Sequence, residues 1–181
     1  MVIHNVTFIS QQLAYKPWAE ISCGVASAKM VLDYLGCTNR CIDYVRLGKL
    51  LRVDVEHKYK DRNSKNSEND DDVLGVYPQD VLDYLPFARS SGTFVTGYNY
   101  NRLLAFLNRY PVMIGLRQGE HGHWGVAIGI DRESIYYLNP YHKSRRRQVF
   151  NRTNMTRVWD GEHLEISPLS PSRQRLSRAG K

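Results

Sequence analysis

Cys23 stands in Glu20-Ile21-Ser22-Cys23-Gly24, where a helical pattern of apolar residues begins. A thiol reacts as thiolate, and the unpaired N–H groups and positive dipole end of a helix N-terminus favour that form. Such a nucleophile needs a base. His123 lies in Glu120-His121-Gly122-His123-Trp124-Gly125-Val126-Ala127-Ile128-Gly129, at the mouth of a strand whose other residues are mostly small or apolar. The next strand ends sixteen residues later at Asn139-Pro140, so a hairpin of this length returns Asn139 beside His123. An amide oxygen placed there holds the far ring nitrogen, selects the tautomer and steadies the imidazolium. Asp131 is also near in sequence but opens the Asp-Arg-Glu-Ser segment at the opposite end of the strand, and reads as a turn former. Upstream, Gln11 and Gln12 precede a loop ending in Pro17-Trp18, and the side-chain amide of either suits an oxyanion hole shared with the Cys23 N–H.

The elements that must position these groups follow from periodicity. From Cys23 to Leu35 the residues Val25, Ala26, Met30, Val31, Tyr34 and Leu35 recur at helical spacing and Gly36 stops the run, with Ser22 as candidate N-cap. Further helices are expected over 42–51, over 77–87 behind Tyr77-Pro78, and over 101–109. Residues 58–72 are polar, charged and free of apolar period, which predicts a mobile surface loop. The second half changes period: 111–117, 124–131 and 134–138 are β-branched and aromatic runs bounded by turn residues, and predict antiparallel strands. Val149-Phe150 adds a strand, 151–159 a short helix, and Leu164-Glu165-Ile166 a last strand. Helices first and sheet afterwards means an α+β fold.

A chain of 181 residues fits one domain, assigned to 1–167, and 42% hydrophobic residues with 12 Tyr suffice for a core. A Ser/Pro-rich end with Arg173, Arg175, Arg178 and Lys181 predicts a disordered basic tail over 168–181. The net charge of +7 therefore collects in that tail and in Arg145-Arg146-Arg147, and no base-stacking motif accompanies it, which argues against nucleic acid as the partner. The N-terminus lacks a signal-peptide pattern and no run of 18 apolar residues exists, so no transmembrane segment is expected. Three cysteines, at 23, 37 and 41, do not resemble a disulfide scaffold and suit a reducing, cytoplasmic setting, although export without a cleavable signal is open to an effector. Cys37 and Cys41 could pair or bind metal, but no further Cys or His completes a zinc set, so neither cofactor nor metal is expected.

Around these residues the sequence resembles the bacteriocin-processing peptidase family and its stand-alone relatives, a branch of the papain-like cysteine peptidases. The resemblance rests on Phe8-Ile9-Ser10-Gln11, Pro17-Trp18 and Ser22-Cys23-Gly24-Val25-Ala26-Ser27 with Met30, Leu32, Tyr34, Leu35 and Gly36. It continues in His123-Trp124-Gly125-Val126 through Gly129 to Asn139-Pro140, and more weakly in Trp159-Asp160-Gly161. It implies a papain-like fold, with the nucleophile helix packed on a C-terminal antiparallel sheet. It also implies Cys23 as nucleophile, His123 as base, Asn139 as orienting residue and Gln11, favoured over Gln12 by its spacing to Pro17-Trp18, as oxyanion donor. Asn139 departs from the Asp usual in that branch, though Asn serves the same role in papain-like enzymes generally. Membrane and nucleotide-binding domains of the transporter-linked members are missing, so export by this chain alone is not expected.

The expected activity is thus a cysteine peptidase or amide hydrolase acting through a thioester on a peptide or protein substrate. Acidic substrates are expected to be preferred, because the Arg145 to Arg147 run closely follows the Asn139 strand. The same constellation serves acyltransferases and deamidases, including effector or toxin-like ones, and a papain-like domain without activity would act as a binding scaffold.

Overall fold

A computed structural model describes residues 1–37, 42–54, 56–59, 71–117 and 122–169. The first half holds β1 (Val2–Ile3), α1 (Gln11–Ala14), a 3-10 turn at Lys16–Trp18, α2 (Cys23–Tyr34) and α3 (Tyr44–Leu50). It continues with β2 (Glu56–Tyr59), β3 (Asp71–Leu74), α4 (Pro78–Tyr84) and β4 (Ser90–Val95). After α5 (Tyr100–Leu107) come β5 (Val112–Leu116), β6 (His123–Asp131), β7 (Ser134–Leu138) and β8 (Arg147–Asn151). A single turn, α6 (Met155–Val158), leads into β9 (Trp159–Pro168).

All sheet pairings are antiparallel. The main sheet runs β4-β9-β5-β6-β7-β8, and β1 extends the β5 side of β6 by pairing Val2 with Ile130 and Ile3 with Gly129. This is the expected α+β arrangement, with α2 lying on the sheet: Val25, Ala26 and Met30 share one core with Met113, Val126, Ile128 and Leu164. Every residue of β5 is buried, because the opposite face is covered as well. There α5 supplies Tyr100, Leu103 and Leu107 to a second core with Ile114, Ala127, Tyr137, Phe150 and Trp159. The helical period predicts α5, but which face of the sheet it covers depends on the chain's path.

Several expectations need correction. The segment 58–72 is not loop throughout, since its ends belong to β2 and β3, paired from Glu56↔Leu74 to Tyr59↔Asp71. A ladder needs only backbone donors and acceptors, so polar residues without a period pair as readily as apolar ones. Residues 60–70 lie outside the described residues. The helix expected over 151–159 is only the four residues of α6, and Trp159 opens β9, which runs to Pro168. Its partner β4, Ser-Ser-Gly-Thr-Phe-Val, carries a turn-like start and was not legible as a strand; it is built by pairing with β9 from Ser90↔Pro168 to Val95↔His163. Leu169 N–H donates to the Arg89 carbonyl, so the paired chain extends past the expected boundary at 167. The remainder of the tail, 170–181, and Cys41 lie outside the described residues; Cys37 is a half-buried free thiol.

Candidate active site

Helix α2 begins at Cys23 with Ser22 in the N-cap position, but the serine does not cap. Its Oγ donates to the Trp18 carbonyl at 2.6 Å and accepts from the Tyr44 hydroxyl at 2.9 Å. With the hydroxyl turned away, the N–H groups of Cys23 and Gly24 are left to the Cys23 thiol, which also receives the N–H of Trp124. Trp124 follows His123 in β6, so the thiol meets that strand at the residue after His123. Gly24 permits this approach: a Cβ there would stand 2.6 Å from Cβ of Val76 and 3.3 Å from the Trp124 ring. Trp124 is pinned in turn by its indole N–H on the Val76 carbonyl, 3.2 Å away.

The sheet brings His123 and Asn139 together. Val126 pairs with Leu138, so the chain leaving β7 passes back along the start of β6, and His123 Nε2 lies 2.7 Å from Asn139 Oδ1. That same Oδ1 accepts the Tyr141 N–H at 2.9 Å, which identifies it as the amide oxygen. An oxygen accepts, so Nε2 must carry the proton and Nδ1 is the nitrogen with a free lone pair. The Tyr141 ring packs edge-on against the imidazole, 6.2 Å between centroids. Burial lowers the His123 pKa, Asn139 raises it and His142 lowers it. Asp131 is at the far end of β6, paired with Ser134 across a turn in which Arg132 has φ 53°, as expected of a turn former.

Burial pushes the Cys23 thiol up, and the three N–H groups oppose that only in part. The N–H groups at the helix start act in the expected direction, but in a residue only 8% exposed the loss of water outweighs them.

The two glutamines separate clearly. Gln11 is fully buried, donates its Nε2 to the Ala19 carbonyl at 2.6 Å, and its backbone N–H is held by the carbonyl of Pro140 at 2.9 Å. Gln12 is half-buried and reaches Ala19 and Glu20 at 3.3 Å. The Gln11 bond to Pro140 clips the N-terminal arm to the residue after Asn139, a link no spacing rule would have suggested.

One group went unnoticed in the residues themselves. Asp160 projects over Gly115, where a Cβ would come 2.1 Å from its Oδ2, and Oδ1 accepts the Glu162 N–H at 2.8 Å. Gly115 pairs with Trp124, so this carboxyl sits on the Trp124 face of the sheet. Burial lifts its pKa from 3.8 to about 6; the Glu162 N–H and Arg117 oppose the rise and the Glu162 charge adds to it. A folded pKa above the unfolded one means the native state binds the extra proton, so stability falls as pH rises from about 4 through 6. Asp160→Asn is expected to melt with wild type near pH 4 and to gain on the order of 2 to 3 kcal/mol over it by about pH 7.5. A melting difference that stays constant with pH would show that ionisation of Asp160 costs nothing.

Among the described residues no group of three metal-ligating side chains occurs, and no helix is long and apolar enough to cross a membrane. The folds of several solved structures are similar. A C39-like peptidase from Bacillus anthracis superposes with TM-score 0.64 at 20% identity, over 93% of this chain and 98% of its own. A double glycine motif protease from an AMS/PCAT transporter, solved with a leader peptide, gives 0.59 at 18% identity, over 92% and 94%. The peptidase domain of Streptococcus ComA, a bifunctional ABC transporter of a quorum-sensing pathway, gives 0.55 at 16% identity, over 81% and 90%. No curated protein matches. The family model of the Peptidase_C39 like family matches residues 3–163, which spans Gln11, Cys23, His123, Asn139 and Asp160 alike, and the chain therefore belongs to that family of cysteine peptidases.

Proposed function

We propose that this chain hydrolyses peptide bonds through a Cys23–His123–Asn139 triad, with Gln11 and the Cys23 N–H as the oxyanion hole. The observation that carries this reading is the Nε2–H bond to Asn139, which leaves Nδ1 as the proton acceptor on the residue preceding Trp124, whose N–H meets the Cys23 thiol. The thiol proton passes to Nδ1 as sulfur attacks the carbonyl carbon, and negative charge moves to the carbonyl oxygen. The Gln11 amide gives one N–H to Ala19, and its second N–H is the donor we assign to that oxygen. Collapse of the adduct breaks the C–N bond, the proton moves from Nδ1 to the leaving amine, and a thioester remains. Water, deprotonated by the same nitrogen, attacks the thioester and frees the acid and the thiol.

The solved relative that carries a leader peptide supports a peptide as substrate, and its double-glycine motif makes peptides with a Gly-Gly pair the first to try. The test of the Cys–His pair is mass-spectrometric mapping of iodoacetamide labelling across about pH 4 to 8. Because burial opposes ionisation of Cys23, selective labelling of this thiol over Cys37 at the acidic end must come from His123, and is expected to vanish in His123→Ala. Equal, ordinary labelling of Cys23 and Cys37 would overturn the triad and leave a binding domain. Asn139→Asp retains an oxygen for Nε2–H and is expected to keep most activity; Asn139→Ala should lose about ten- to a hundredfold in kcat, less than His123→Ala. An Asn139→Ala rate equal to wild type would show that the ring needs no such support.

A further inference from the structure

The chain between β7 and β8 reads Asn139-Pro140-Tyr141-His142-Lys143-Ser144-Arg145-Arg146, and β8 then opens with Arg147. Lys143, Arg145, Arg146 and Arg147 are all exposed, and none forms an ion pair among the described residues. No Asp or Glu occurs from Ser134 to Trp159, so the stretch offers these cations no local counter-charge. Four charges within five residues repel one another, and among the described residues no ion pair engages them.

Both ends of this segment are nevertheless held. Asn139 is bonded to His123, Pro140 accepts the Gln11 N–H, and the Tyr141 and His142 N–H groups return to the Asn139 side chain and carbonyl. At the other end Arg147 pairs with Leu138, the residue before Asn139, which puts its Cα about 5 Å across the ladder from the strand end that carries the His123 partner. Exposed charges act over about 8 to 10 Å at ordinary ionic strength, far enough for this run to be felt by whatever lies beside His123.

We infer that Lys143 and Arg145 to Arg147 form a docking surface for an acidic stretch of the peptide substrate, next to the bond to be cleaved. This rests on the peptide reading of the site and adds a charge preference to it. The fixed root of the loop means that a bound acidic segment is aligned with the site rather than merely attracted to it.

The experiment uses Cys23→Ala, which cannot turn the probe over, and measures binding by fluorescence anisotropy. The probes are two labelled Gly-Gly peptides identical except that four Glu in one are Gln in the other, at about 50 and 300 mM NaCl. The Glu peptide is expected to bind at least about tenfold tighter at low salt, with the preference shrinking at high salt. Adding R145E/R146E/R147E should abolish or invert the preference, and adding R145Q/R146Q/R147Q should bring it to parity. An unchanged Glu-to-Gln ratio in both variants would overturn the proposal, as would a single-stranded oligonucleotide displacing the Glu peptide more strongly than unlabelled Glu peptide does. Neither outcome touches the triad, which is read separately by Cys23 labelling in the wild type.

Discussion

Cys23→Ala is expected to bring peptide hydrolysis to background, at least about a thousandfold below wild type, while the protein stays folded. The sulfur is the only atom in the proposed mechanism that bonds to substrate, so its loss removes the pathway rather than slowing it. Folding should suffer little: deleting one buried atom leaves a small void worth about 1 kcal/mol, or a few degrees of melting temperature in a chain of this size. His123→Ala is expected to approach the same background, because burial holds the thiol protonated without a base. It should also stay folded, since Asn139 Oδ1 keeps the Tyr141 N–H. Turnover of a Gly-Gly peptide by Cys23→Ala at the wild-type rate would refute the mechanism; unfolding of the variant in a thermal melt would instead mark Cys23 as a packing residue.

The largest stability effect is expected at Trp159. This side chain is fully buried between the Phe150 ring, stacked at 6.4 Å, and the Tyr98 ring, edge-on at 5.6 Å, and its indole N–H donates to the Glu162 carbonyl at 2.8 Å. Trp159→Ala removes that area and opens a void in the second core, costing about 3 to 5 kcal/mol. In a domain of this size that lowers the melting temperature by roughly 6 to 20 °C. Trp159 pairs with Leu116 and Leu116 with His123, so the damage lies two strands from the site. Activity well below the melting range should therefore fall far less than in Cys23→Ala. A melting temperature within about 3 °C of wild type would show that the core closes over the gap.

Periodicity located what is local. The helix starting at Cys23, and the strands 134–138, 112–116 and 123–131, are runs whose apolar spacing reports their own burial, so each was legible within a residue or two. The meeting of His123 with Asn139 was legible for the same reason, since a hairpin of known length fixes which residues face each other. The α+β order and the family resemblance followed from these blocks. The weaker third block marked Trp159-Asp160-Gly161 without indicating what either the ring or the carboxyl does.

Contacts between distant segments were decided by the tertiary structure. Polar strands such as β2, β3 and β4 have no side-chain period to report, because backbone pairing forms them, β2 with β3 and β4 with β9 far along the chain. The Ser22 hydroxyl has good cap chemistry, yet Trp18 and Tyr44 claim it, and only packing puts them there. The adjacent glutamines differ through burial and through a single bond from Gln11 to Pro140, and the Asp160 carboxyl, raised by burial, lies over a glycine of β5, the strand next to β6 in sheet order. Residue types determined which chemistry this chain has to offer, and long-range pairing decided which groups are buried, bonded and within reach of one another. A pKa or an orientation depends on solvent and neighbours that no short stretch of sequence contains.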